Sequence, residues 1–203
     1  MEILNLFAGI GGNRKFWVGH PVTAVEQDAK IARLYQRLYP QDTVIVGDAQ
    51  EYLEKMGYKY DYVWASPPCQ SHSRINRSRR IKPPIDPMLH QIIHFLREIY
   101  KGAWTVENVR PYYKVDNLPT YVIDRHCFWS NHEIPLIPTF PKVKGLFGHS
   151  TLETKHVLHD YLGIHFDDVI YCGQNHCPAQ ILRNAVHPDI GKFILEEVLK
   201  NIG

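Results

Sequence analysis

The sequence predicts an α/β protein with a doubly wound, mostly parallel sheet, and three observations lead there. Short apolar runs alternate with amphipathic stretches through the first half of the 203 residues. The chemistry-bearing residues fall at the ends of those runs: the glycine cluster at 9–12, Glu26, Asp48, Cys69 and Glu107. No linker or internal repeat divides the chain. Strand–helix alternation needs crossover connections and therefore parallel strands. In such sheets ligands lie outside the carboxyl ends of the strands, where these residues converge.

The elements follow in order. Residues 2–7 (EILNLF) read as a strand ending in the glycine-rich turn, which should open a helix. Residues 22–25 (VTAV) form a second run closed by Glu26. AKIARLYQRLY then places Ile31, Leu34, Tyr35 and Leu38 at helical spacing and stops at Pro40. TVIVGD is a third strand ending at Asp48, and YDYVWAS a fourth ending at Ser66-Pro67-Pro68-Cys69. Residues 88–100 carry a helical stripe of Leu89, Ile92, Ile93, Leu96 and Ile99, and AWTVEN is a fifth strand reaching Glu107. Residues 111–150 read as irregular or short-strand structure. A regular helix returns only at 189–203, where Ile190, Phe193, Ile194 and Val198 share a face.

Composition narrows the class. Hydrophobic residues make up 44% and charged residues 22%, the balance of a folded soluble domain rather than a disordered chain. A net charge of +2 permits an anionic partner without demanding one, but Arg74, Arg77, Arg79, Arg80 and Lys82 concentrate it behind Cys69. No signal peptide is visible and no apolar run approaches a membrane span. Four scattered cysteines do not make a disulfide scaffold, so a reducing, cytoplasmic compartment is expected.

Several of these residues suit chemistry, each with a plainer alternative. The turn Phe7-Ala8-Gly9-Ile10-Gly11-Gly12 lets backbone approach a ligand closely, although many such turns are only tight turns. Glu26 stands where an acid can hold ribose hydroxyls, and Asp48 borders the same crevice; either could be a surface carboxylate. Two prolines stiffen the turn that carries Cys69, and neighbouring arginines should lower its thiol pKa; a buried core cysteine is the alternative. Glu107 should be partly buried and able to share a proton, or else cap a segment or pair with an arginine. The stretch after Cys69 could be a solvated charge run, but its placement favours phosphate contacts, and its mobility would let it close over a substrate. Zinc is disfavoured: Cys172, His176 and Cys177, with Cys127 or His126, have looser spacing than common zinc pairs.

LFAGIGG, the acid of VEQD, the aspartate of GDAQ, SPPCQ, VEN and QILRNAV resemble, in this order, the motifs of cytosine-C5 DNA methyltransferases. The resemblance runs from residue 4 to about residue 195. It implies a Rossmann-like fold binding S-adenosylmethionine through Phe7, Ala8, Gly9, Ile10, Gly11, Gly12, Glu26, Gln27, Asp48, Ala49, Pro67, Asn184 and Ala185. Within that set, Glu26 would bind the ribose and Asp48 the adenine. Cys69 would attack C6 of a flipped-out cytosine so that C5 can take the methyl group, Glu107 would hold N3 and the exocyclic amine, and Arg125 would contact the base. Gln70, Ser71, Arg74, Arg77, Arg79 and Arg80 would meet DNA.

The sequence departs from the family in places. Asn5 replaces a usual aspartate, Cys127 replaces the second arginine of an Arg-x-Arg pair, and Arg183 replaces a glycine. His126 is a candidate substitute for the missing arginine. Only residues 126–179 separate Arg125 from Gln180, which leaves little for target recognition. A single domain is expected over 1–203, with a cofactor and catalytic core at about 1–130 and 174–203 and a reduced recognition region at about 131–173. The expected partners are DNA and a restriction endonuclease or recognition partner, and a monomer is expected. An RNA substrate, or a non-catalytic DNA-binding protein on the same fold, are the competing readings.

Overall fold

The structure, a computed structural model, describes residues 1–115, 117–142, 152–171 and 177–202. Seven strands form one sheet: β1 (Ile3–Leu6), β2 (Val22–Glu26), β3 (Thr43–Val46), β4 (Tyr62–Ala65), β5 (Ala103–Val109), β6 (Tyr121–Ile123) and β7 (His126–Ser130). Their order is β3-β2-β1-β4-β5-β7-β6. The first five pair in parallel, whereas β7 pairs antiparallel with both β5 and β6. The chain moves outward from β1 to β3 and then restarts at β4 on the other side of β1. The switch point, where ligands bind in such sheets, therefore lies between the ends of β1 and β4.

Alternation along the strands supplies two cores. Leu4, Leu6, Val63 and Ala65 pack against α2 (Ala49–Met56) and α3 (Met88–Glu98) through Leu53, Leu89, Ile92 and Leu96. Ile3, Val22, Tyr62 and Trp64 face the opposite layer, with Ile190, Ile194 and Val198 of α6 (Pro188–Ile202). A period of two sends successive side chains to opposite faces, so strands buried on both sides read as continuous apolar runs. α1 (Ala29–Leu38) starts at Asp28, whose carboxylate accepts from the Lys30 and Ile31 amides, and it ends before Pro40.

Three sequence expectations need correction. The glycine cluster opens no helix; residues 7–19 run through successive turns. α2 was hidden because it is short, and Asp48, read as a strand end, is its cap. α4 (Leu152–Leu162) lies where no helix is expected. Its inward stripe is Lys155, Leu158, His159 and Leu162, so two of the four buried positions are polar and the apolar period is masked. Leu158 and Leu162 pack with Ile10, Ile31, Leu34 and residues of α5 (Gln180–Arg183). No helix among the described residues is long and apolar enough to cross a membrane.

Candidate active site

The turn after β1 is shaped by left-handed backbone at Phe7 (φ 53°), Gly9 (φ 54°) and Gly11 (φ 70°). For Phe7 that conformation costs about 1–3 kcal/mol and persists only where surroundings enforce it. At Gly9 a Cβ would meet nothing within 4 Å, so backbone conformation demands glycine there and the space beside it is open. Gly12 is different: a Cβ would lie 2.4 Å from the Val186 carbonyl oxygen and 2.9 Å from the Ala185 Cβ. That close approach brings Ala185 and Val186 to the glycine turn, whereas Asn184 before them is exposed. Asn5 accepts a 2.9 Å bond from Asn13 beneath the turn.

Glu26 braces this crevice. Its carboxylate accepts 2.9 Å bonds from the Gly9 and Asp28 amides, joining the ends of β1 and β2. Burial pushes its pKa above the ordinary value, and those amide bonds oppose the shift. Gln27 and Asp48 are exposed at the neighbouring strand ends, Asp48 accepting from the Glu51 amide, while Ala8, Ile10, Gly11, Gly12, Ala49 and Pro67 are buried. A buried bidentate pair backs the turn: Arg14 donates to Asp42 at 2.7 and 2.6 Å, and Tyr39 donates to the Gly11 carbonyl at 2.7 Å.

Cys69 is half-buried in the turn that leaves β4. Its carbonyl accepts from the His72 and Ser73 amides, and the buried Asn108 amide donates to the Pro67 carbonyl at 2.9 Å, fastening the turn to β5. Along the chain Asn108 is marked only by its place directly after Glu107. The thiol contradicts the expected direction of its pKa. Burial, then the Glu107 charge, push Cys69 from 9.0 to about 11, against the lowering field of Arg125. The arginines behind Cys69 do not set it, because Arg74, Arg77, Arg79 and Arg80 point to solvent, where water screens their charge.

Glu107 is more deeply placed than expected, at 5% exposure inside β5 rather than at its end. His126 lies 2.5 Å away through Nδ1 and Glu107 Oε1. Arg125, half-buried in the β6–β7 turn, donates to the Arg183 carbonyl at 2.7 Å, while Cys127 is buried on the side of α3.

The basic stretch has buried anchors. His72 is fully buried and its Nδ1 lies 2.5 Å from the Tyr113 hydroxyl. The Asn76 amide donates to the Gln70 carbonyl, and Ser71 Oγ accepts from the Asp86 amide. Residues 74–78 form a 3₁₀ turn in which Arg74 and Arg77 are exposed, as are Arg79 and Arg80 just beyond it. This His72–Tyr113 anchoring carried no sequence signal. Of the zinc candidates, Cys172 and His176 lie outside the described residues; among those described, no group of three or more His, Cys, Asp or Glu could hold a metal.

Residues 1–122 match the family model for C-5 cytosine-specific DNA methylases. The Type II methyltransferase M.FnuDI of Fusobacterium nucleatum is 29% identical over 116 residues, covering 54% of this chain. The chain spans 33% of that relative's length. Among solved structures, a mutant of Spodoptera frugiperda DNMT2 is 23% identical, with 53% of this chain and 35% of that chain covered and a TM-score of 0.41. A putative DNA modification methyltransferase encoded within an Escherichia coli prophage is 22% identical, with 56% and 33% covered and a TM-score of 0.40.

Proposed function

Because this chain belongs to the C-5 cytosine-specific DNA methylase family, we propose that it transfers a methyl group from S-adenosylmethionine to C5 of cytosine in DNA through Cys69. The observation that carries the reading is the gathering of one thiol and its charges. Cys69 and Glu107 come from the adjacent parallel strands β4 and β5, close enough for the carboxylate to raise the thiol's pKa, and Arg125 opposes it.

The Cys69 thiolate forms a bond to C6 of the ring, which makes C5 nucleophilic; after methyl transfer the C5 proton leaves to water and the Cys69–C6 bond breaks, returning the electron pair to sulfur and restoring the ring. Glu107 bonds N3 and the exocyclic amine, offsetting charge as the adduct forms. C6 cannot be reached inside stacked duplex, so the cytosine is flipped out. Arg125 favours the thiolate and lies near the base. Exposed Arg74, Arg77, Arg79 and Arg80, with Gln70 and Ser71, hold the phosphate backbone.

The residues at the switch point fit the cofactor. The open space beside Gly9 and the part-buried Glu26 carboxylate suit a ribose, Phe7 and Asp48 follow the neighbouring strand ends, and Ala185, just after α5 and exposed Asn184, packs on Gly12 of the same turn. When bound, the cofactor supplies the methyl group on a sulfonium. In this reading residues 1–130 and 174–203 are the cofactor and catalytic core, and 131–173 a short recognition region. The protein acts in the cytoplasm as a monomer, alongside a restriction endonuclease or a recognition partner.

Tritiated-methyl transfer to DNA and to tRNA, in parallel with trapping on a 5-fluorocytosine duplex, tests the proposal. A covalent complex with DNA that disappears in Cys69→Ser is expected. Transfer to tRNA alone would move the substrate to RNA. Absence of both complex and cofactor binding would leave only a binding protein on the same fold.

A further inference from the structure

The antiparallel pairing of β5 with β7 sets Glu107 opposite Phe128 and Val109 opposite His126. Strand alternation therefore puts Glu107 and His126 on one face, and Cys127 on the other with Trp129. On the first face His126 Nδ1 lies 2.5 Å from Glu107 Oε1, and both residues are 5% exposed. A carboxylate can only accept, so with Glu107 ionised the imidazole carries the Nδ1 proton. The Phe128 ring lies against the imidazole, with centroids 6.3 Å apart. Arg125 does not take this position: its guanidinium donates to the Arg183 carbonyl.

A buried carboxyl with rotational freedom would have to be oriented anew at each encounter with a base. A short charge-assisted bond to one oxygen removes that freedom. We propose that His126 is a positioning residue for Glu107, fixing the orientation and proton content of the carboxyl that meets the cytosine; the proposal rests on the cytosine methyl-transfer reading above. Guanidinium never gives up a proton, whereas imidazolium can. With His126 protonated at both ring nitrogens, the Nδ1–H bond breaks as an Oε1–H bond forms, the electron pair stays on Nδ1, and the net charge of the pair is unchanged. Glu107 can therefore take up or return that proton at Oε1 without drawing one from water, while its orientation toward the base stays fixed.

Single-turnover trapping on a 5-fluorocytosine duplex with His126→Leu, His126→Asn and Glu107→Gln tests this, together with the low-field Nδ1 proton resonance of His126. His126→Leu should trap up to about 100-fold more slowly, with cofactor and DNA affinities near wild type. His126→Asn, which retains a donor near the Nδ1 position, should recover part of the rate. The double variant His126→Leu with Glu107→Gln should be no slower than Glu107→Gln alone. The resonance should be present in the wild type and absent in Glu107→Gln. Wild-type trapping by His126→Leu, additive losses in the double variant, or no low-field resonance in the wild type would each overturn the proposal. Should His126→Leu fail to fold, His126→Asn and the resonance decide. A wild-type protein that traps no nucleic acid defeats the methyl-transfer reading, and His126 loses its proposed role with it; a resonance still lost in Glu107→Gln would show that the contact itself is real and the failure lies in the reaction.

Discussion

Cys69 provides the sharpest test, because burial and then the Glu107 charge hold its thiol near 11 against the lowering field of Arg125. A thiol at 9.0 is about one-tenth ionised at pH 8, whereas one at about 11 is ionised to roughly one part in a thousand. Ionisation alone slows attack on an aromatic disulfide reagent about 100-fold. The more basic thiolate is intrinsically more nucleophilic, with a Brønsted slope of about 0.4–0.5, which restores roughly 6- to 10-fold. The net expectation is therefore reaction about 10- to 20-fold slower than a free thiol at pH 8. The rate, taken as the difference between wild type and Cys69→Ser, should climb about tenfold per pH unit through pH 9 without a plateau. Glu107→Gln should move the profile to lower pH and Arg125→Gln to higher pH, since the first removes a raising charge and the second a lowering one. The same shift makes folding favour the protonated thiol, so that contribution is present below pH 9 and is lost as pH rises through about 11. A wild-type plateau below pH 9, or shifts of the same sign in both variants, would refute the electrostatic account.

Other consequences can be checked separately. Arg14→Leu strands the Asp42 carboxylate, whose side chain is 1% exposed, and should cost about 3–5 kcal/mol in urea unfolding. Gly12→Ala drives a methyl group onto the Val186 carbonyl and should cost about 1–3 kcal/mol and weaken cofactor binding in calorimetry. Gly47→Ala, whose Cβ would meet only Ile45 at 3.9 Å, is the neutral control. Replacing Arg77, Arg79 and Arg80 one at a time with alanine should lower the salt slope of duplex binding by up to about 0.9 each, leaving cofactor affinity unchanged.

Much of the candidate site is legible along the chain because it sits where parallel strands end. A strand buried on both faces must be a continuous apolar run, so its terminus is marked by the first polar residue or turn: the glycine cluster, Glu26 and Cys69. Asp48 follows the exposed edge strand β3 and is marked instead as the cap of α2. Glu107 shows the limit of that rule, because β5 continues to Val109 where β7 pairs with it. α4 escaped notice because Lys155 and His159 occupy buried positions, Lys155 donating to the Asp168 carbonyl and His159 contacting the Ile164 carbonyl. The turn after β1 looked like a helix opening because glycine-rich turns often are one, but its left-handed residues continue the turns instead.

Local order along the chain determined the parallel sheet, its switch point and the family's ordered motifs, since apolar periodicity and turn chemistry are properties of neighbouring residues. Tertiary structure alone decided the state of the Cys69 thiol and the partner of Glu107. Both depend on burial and on charges brought from β5 and the β6–β7 turn, far away in sequence. Seen on the chain, Cys69 has four arginines close behind it; folded, those arginines face water, and Glu107 and burial govern its proton.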